Sequence, residues 1–184
     1  HTSSSVNEIC DVELYFKCEN FQKTGSFKFR GAYNSVQQLS DAEAVHGVGT
    51  HSSGNHAAAL ALSARLKGID AHIVMPGNSN PVKKKAVEHY KANITYCGSG
   101  LDAREETYRK VVKETGAKFI HPSADFHVIC GQGTAAKELL EAKPDLDAII
   151  TPVGGGGLTS GSAIAAKSMK KDIRVYAGEP RMAD

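Results

Sequence analysis

From Val48 onward, strand-length apolar runs and helix-length runs take turns with a regularity that leaves few folds open. The pattern predicts strands over Val48–His51, Ala71–Met75, Asn93–Cys97 and Lys118–His121, with helices over Asn55–Lys67, Pro81–Lys91 and Leu101–Thr115 between them. It resumes after Pro122 with a helix over Gly131–Leu140, a strand over Ala148–Val153, a helix over Thr159–Lys171 and a strand over Ile173–Ala177. Strands separated by such helices pair in parallel, because each connection must carry the chain back along the sheet before the next strand starts. Gly68 and Gly116 stand just past two of these helices, where a left-handed cap residue is expected. Upstream, Glu13–Cys18 (ELYFKC) has the aromatic alternation of a strand, and Phe29–Leu39 reads as a helix. The whole chain is therefore expected to be α/β, in two lobes.

Composition removes several classes of function. Lys+Arg 22 against Asp+Glu 20 in 184 residues leaves no basic surplus for nucleic acid, and the run Lys83–Lys85 reads as the solvated face of a helix. Four cysteines (Cys10, Cys18, Cys97, Cys130) show no C-x-x-C pair, so reduced thiols, buried or half-buried, are expected rather than a disulfide framework or a zinc site. His51 and His56 have no further ligand at metal spacing. No apolar run reaches the ~20 residues of a membrane span and no signal pattern opens the chain, so a soluble, cytoplasmic protein without a membrane partner is expected. His1 and Asp184 both read as interior positions of a longer chain, and the segment is expected to be a fragment.

Three stretches carry chemistry. In FQKTGSFKFRGA (Phe21–Ala32) a polar turn, Gln22–Ser26, delivers Lys28 between Phe27 and Phe29. Desolvation disfavours the ammonium form, so such a lysine becomes a nucleophile able to form a Schiff base; the alternative is a surface lysine on an amphipathic helix. In VGGGGL (Val153–Leu158) four glycines follow a strand and open a helix, which lets backbone N–H groups turn inward on an anion such as a phosphate. It is neither G-x-G-x-x-G nor a nucleotide-triphosphate P-loop, and a flexible loop is the alternative. THSSGNH (Thr50–His56) again joins strand end to helix start, where ligands bind in open α/β sheets, although a plain helix cap would also account for it.

SFKFRG, SSGNH and GGGGL, in this order and at these separations, resemble the fold type II pyridoxal-phosphate enzymes, most closely eukaryotic serine racemases and the related serine/threonine dehydratases. The resemblance covers essentially the entire chain. It implies two-lobed open parallel sheets of the tryptophan-synthase-β type, with residues 47–124 as a small mobile domain and residues 1–46 and 125–184 as part of a large cofactor-binding domain whose C-terminal part is missing. By the same resemblance Lys28 carries pyridoxal 5'-phosphate, Phe27 lies against its ring, Asn55 contacts the ring hydroxyl, and Gly154, Gly155, Gly156, Gly157 and Leu158 hold the phosphate. Ser52, Ser53, Gly54, Asn55 and His56 meet the amino-acid substrate, with Arg104 and Ser123 nearby. The alternative for Arg104 is a solvated arginine paired with Glu105 or another acid.

Racemisation needs an acid/base on the second face of the substrate, and by the resemblance Ser53, where many dehydratases carry Ala, is the candidate for that role. Serine could also lose its β-hydroxyl at the same site, ending as pyruvate and ammonia. Glu179 and the Ala183 carbonyl match the start of the family's Mg²⁺ or Ca²⁺ site. Two departures qualify the match: Ser123 stands where serine racemases place Asn, which leaves room for aspartate, and Ala58 stands where vertebrate racemases place Gln near their ATP effector. A homodimer is the family's usual assembly. A dehydratase without racemisation, an aspartate racemase and a catalytically silent phosphate-binding module are the rival expectations.

Overall fold

A computed structural model describes residues 1–182. The expected alternation closes into two parallel sheets. The first contains β1 (Val48–His51), β2 (Ala71–Pro76), β3 (Asn93–Cys97) and β4 (Lys118–Phe119) in the order β3-β2-β1-β4. The second pairs β5 (Ala148–Pro152) with β6 (Arg174–Gly178), Ala148 opposite Arg174 and Pro152 opposite Gly178.

Ahead of the sheets lie α1 (Ser4–Cys10), α2 (Lys28–Gln37) and α3 (Asp41–Ala44). Around the strands lie α4 (Asn55–Lys67), α5 (Pro81–His89), α6 (Leu101–Thr115), α7 (Phe126–Ala142) and α8 (Gly157–Met169). Gly68 and Gly116 end α4 and α6 in the left-handed conformation, with φ of 77° and 72°. Among the described residues no helix is long and apolar enough to cross a membrane.

Strand order locates the functional crevice. β1 lies between β2 and β4, so the chain leaves β1 toward one side of the sheet and later returns to its other side. At such a reversal the loops that follow the two strands diverge, and a cleft opens beyond their carboxyl ends. Here those loops are Ser52–Gly54 and Ile120–Asp125.

The main core fills the space between this sheet and α4. Leu60, Ile73, Met75 and Ile120 are fully buried there, each side chain contributing ~2 kcal/mol by leaving water. Helix α4 carries alanine at 57, 58, 59, 61 and 64, all buried, and small side chains on every side let it sit between sheet and α2. Val36, Leu39 and Val128 belong to the same core. A smaller core joins Ala136, Leu140, Ile149, Ala166 and Ile173 beneath the second sheet.

Three expectations are corrected. Glu13–Cys18 forms no strand: it has no ladder partner and is tied by a bond from the Phe16 N–H to the His1 carbonyl (2.7 Å) and one from the Leu14 N–H to Asn7 Oδ1 (2.9 Å). Helix α7 begins at Phe126 rather than Gly131, because Asp125 caps it, its Oδ1 accepting from the Val128 N–H at 2.9 Å. Cys10 and Cys130 are exposed rather than buried, while Cys18 and Cys97 are half-buried; all four thiols are free.

Candidate active site

Lys28 opens α2, directly after a tight 3-10 turn over Lys23–Gly25 in which Thr24 takes a left-handed φ of 63°. The turn brings the lysine inward. Its Nζ donates to the Pro122 carbonyl at 2.7 Å and lies 5.3 Å from the centre of the Phe27 ring. Among the described residues no carboxylate pairs with it. Burial without a compensating anion pushes its pKa below the ordinary lysine value, toward the neutral amine. The surface-lysine alternative is therefore not what the chain adopts.

The helix carrying this amine is fixed by close backbone contact. A methyl group on Gly31 would lie 2.7 Å from the Val128 carbonyl oxygen, and one on Gly131 would lie 2.5 Å from the Arg30 carbonyl oxygen. Only glycine at these positions lets α2 and α7 approach so nearly. Buried Gln132 closes the contact, its Oε1 accepting from the Gly31 N–H at 3.1 Å. Arg30 then ties three elements together: it binds Glu19 (2.7 and 2.9 Å) and Glu138 (2.6 and 2.8 Å), and donates to the Thr134 hydroxyl at 3.0 Å.

The loop after β4 joins the lysine to the glycine run. Its Pro122 carbonyl holds Lys28, and the next residue, Ser123, abuts the glycines: a methyl on Gly155 would lie 2.9 Å from Ser123 Cβ, and one on Gly157 would lie 2.8 Å from the Ser123 carbonyl oxygen. Gly154 and Gly156 face open space, and Gly156, with φ of 79°, precedes the first turn of α8. The free amides of that turn have no acceptor inside the helix and carry its positive end. Ser123 thus lies against the glycine loop.

On the other side of the crevice, Ser52, Ser53 and Gly54 are half-buried between β1 and α4, and Asn55 is exposed at the start of α4. Ser52 Oγ accepts from the Gly54 N–H at 3.3 Å. His56 turns into the interior, with Nε2 3.0 Å from the Ile120 carbonyl and Nδ1 buried without a partner. Burial, followed by the nearby charges of Lys28 and His121, lowers its pKa to about 4. His56 therefore pins the start of α4 to the loop after β4.

Arg104 is half-buried on α6 with its Nε unpartnered, beside Cys97, while Glu105 takes Arg109 instead at 3.3 Å. Glu179 is exposed beyond β6, and Ala183 lies outside the described residues. Among the described residues no three His, Cys, Asp or Glu side chains gather as a metal site.

The arrangement meets the needs of an aldehyde-bearing phosphate ester: a desolvated amine, an open glycine cradle at a helix start, and a loop that touches both. A family model described as "Pyridoxal-phosphate dependent enzyme" matches residues 1–184, and the chain belongs to that family. The chain is 49% identical over 183 residues to a beta-hydroxyaspartate dehydratase of Paracoccus denitrificans, and 49% identical over 183 residues to a serine racemase of Dictyostelium discoideum. Both alignments take in 100% of this chain but only 58% and 56% of those relatives, so the chain spans little more than half their length. The solved structure of maize serine racemase superposes with a TM-score of 0.98 at 48% identity, covering 100% of this chain and 56% of that one.

Two site residues had no signal in the sequence. The Pro122 carbonyl is a backbone group, and no residue type advertises a backbone acceptor. The role of Gln132 follows only from the glycine pair on either side of it.

Proposed function

We propose that the protein carrying this chain is a pyridoxal-phosphate-dependent serine racemase that also eliminates water from serine to give pyruvate and ammonia. The observation that carries the reading is the half-buried Lys28 amine, free of carboxylates and held at 2.7 Å by a loop that also packs the glycine run. Lys28 would hold the cofactor, with Phe27 beside the ring, Asn55 toward its hydroxyl and the Gly154–Leu158 segment around its phosphate. When bound, the cofactor supplies a conjugated electron sink that makes the substrate Cα–H acidic.

The chain's own groups then manage protons. Lys28, whose hold on its proton burial weakens, takes the Cα proton on one face, and the Ser53 hydroxyl delivers a proton to the other. Asn55 and Ser52 orient the substrate, and movement of residues 47–124 against the rest of the chain excludes water. The reading extends to a cytoplasmic homodimer acting on free amino acids. An ATP effector is not part of this reading, Ala58 being buried in the core.

A second reading, attack on a β-hydroxylated or acidic amino acid, is supported by the equally similar dehydratase relative and by Arg104, a half-buried cation with no carboxylate partner among the described residues. Incubating the holoprotein with L-serine and with the stereoisomers of β-hydroxyaspartate, beside a Ser53→Ala variant, separates the readings. D-serine formation that disappears in the variant while pyruvate persists supports the racemase; turnover of the hydroxyaspartate alone supports the second reading.

A further inference from the structure

The Ile120–Ala124 segment carries four attachments in five residues. Ile120 offers its carbonyl to His56, Pro122 offers its carbonyl to Lys28, and Ser123 packs beneath Gly155 and Gly157. The fourth attachment is internal: His121 Nδ1 accepts from the Ser123 N–H at 3.1 Å and from the Ala124 N–H at 2.8 Å. A ring nitrogen that accepts two backbone N–H groups carries no proton, so the imidazole is neutral with its proton on Nε2. Protonating Nδ1 would place a third hydrogen among two that already point at it. The turn could not survive that change unaltered.

We propose that His121 is a positioning residue whose unprotonated Nδ1 holds the Pro122–Ala124 turn, and that protonation of this nitrogen releases both the grip on Lys28 and the support under the glycine loop. The groups facing the ring set where this happens. His51, at the end of β1, and Lys28, at the start of α2, oppose a second positive charge; Asp125, at the cap of α7, favours it; Phe119 presents its ring at 5.9 Å, nearly perpendicular. His56, on α4, feels the same imidazole. Burial first, then His51 and Lys28, outweigh Asp125 and lower the His121 pKa from its ordinary value. Any consequence for the cofactor rests on the function proposed above, whereas the turn itself does not.

Two measurements test the proposal. In the cofactor-free protein, the amide resonances of Ser123 and Ala124 are followed by NMR from pH 8 to pH 5 beside the His121 imidazole nitrogens. They are expected to move together with Nδ1 protonation in the wild type and to stay still in His121→Asn, whose side-chain oxygen accepts the same two bonds without titrating. Amides that ignore the imidazole's titration overturn the proposal.

Pyridoxal 5'-phosphate affinity is then measured by fluorescence against pH. His121→Asn is expected to bind within about twofold of wild type and to lose less affinity in acid, whereas His121→Leu binds about tenfold more weakly at every pH, the order of one net hydrogen bond. An Asn variant that keeps the wild-type acid limb, or one as weak as the Leu variant, overturns the role. If the wild type binds no pyridoxal 5'-phosphate, the function proposed above falls, and the amide titration alone decides the proposal.

Discussion

Lys28 and Arg30 sit two residues apart on the same helix, both drawn out of water, and their environments push them in opposite directions. The guanidinium is clamped between Glu19 and Glu138, which raises its pKa further and lowers that of Glu138 to about 2, chiefly through the Arg30 hydrogen bond. The amine meets only a neutral carbonyl, and burial weakens its hold on the proton. Desolvation alone thus does not decide what a buried cation does. The presence or absence of a carboxylate makes one side chain a fastener and the other a reagent.

The comparison is broken most directly by removing each group in turn. Lys28→Ala is expected to lower turnover by at least about a thousandfold and to abolish the cofactor's near-visible absorbance. A variant that kept that absorbance would show that another group holds the cofactor.

Stability should respond in the reverse order. Arg30→Met is expected to cost about 2 kcal/mol in urea unfolding, because it strands Glu19 in a poorly solvated position. That is less than for a fully buried pair, since Glu138 reaches water. Lys28→Met should change stability by less than about 1 kcal/mol, losing one hydrogen bond but relieving a buried amine. Equal losses in the two variants would erase the distinction.

The helix pair beneath both residues gives a smaller test. Gly31→Ala places a methyl against the Val128 carbonyl and is expected to cost about 1–2 kcal/mol through displacement of α2, with a matching loss of cofactor affinity.

Acid separates the two regions by degrees. The folded-state value for His56, about 4, lies below its ordinary 6.5, so its contribution is full above pH 6.5 and is lost as pH falls toward 4. Glu138 likewise holds its contribution above 4.5 and loses it as pH falls toward 2. Urea midpoints measured from pH 7 downward should therefore decline first through His56 and only at lower pH through Glu138. A His56→Gln protein should show a flatter decline between pH 6.5 and 4, and an unchanged slope would remove His56 from the account.

Much of this architecture was legible before the coordinates. The bounds of α4, α6, β1 and β3 follow from apolar period, Gly68 and Gly116, since a helix ended by a left-handed glycine has a local cause that a local reading can find. Glu13–Cys18 shows the limit of that method. Aromatic alternation describes a chain suited to a sheet, but a strand also needs a neighbour, and no local pattern reports whether one is present. The site divides in the same way: Lys28 and the glycine run stand out by residue type, while the Pro122 carbonyl that joins them and the inward turn of His56 are matters of placement.

The bond from Lys28 to Pro122 spans 94 residues of sequence, and the clamp from Arg30 to Glu138 spans 108. Neither can form until the chain through α7 has been synthesised and α7 has docked on α2. Until then the amine is as hydrated as any other lysine, protonated at neutral pH and a poor partner for aldehydes. Reactivity toward carbonyl compounds is therefore switched on by the completion of folding, and a nascent or unfolded chain is spared indiscriminate modification at this position.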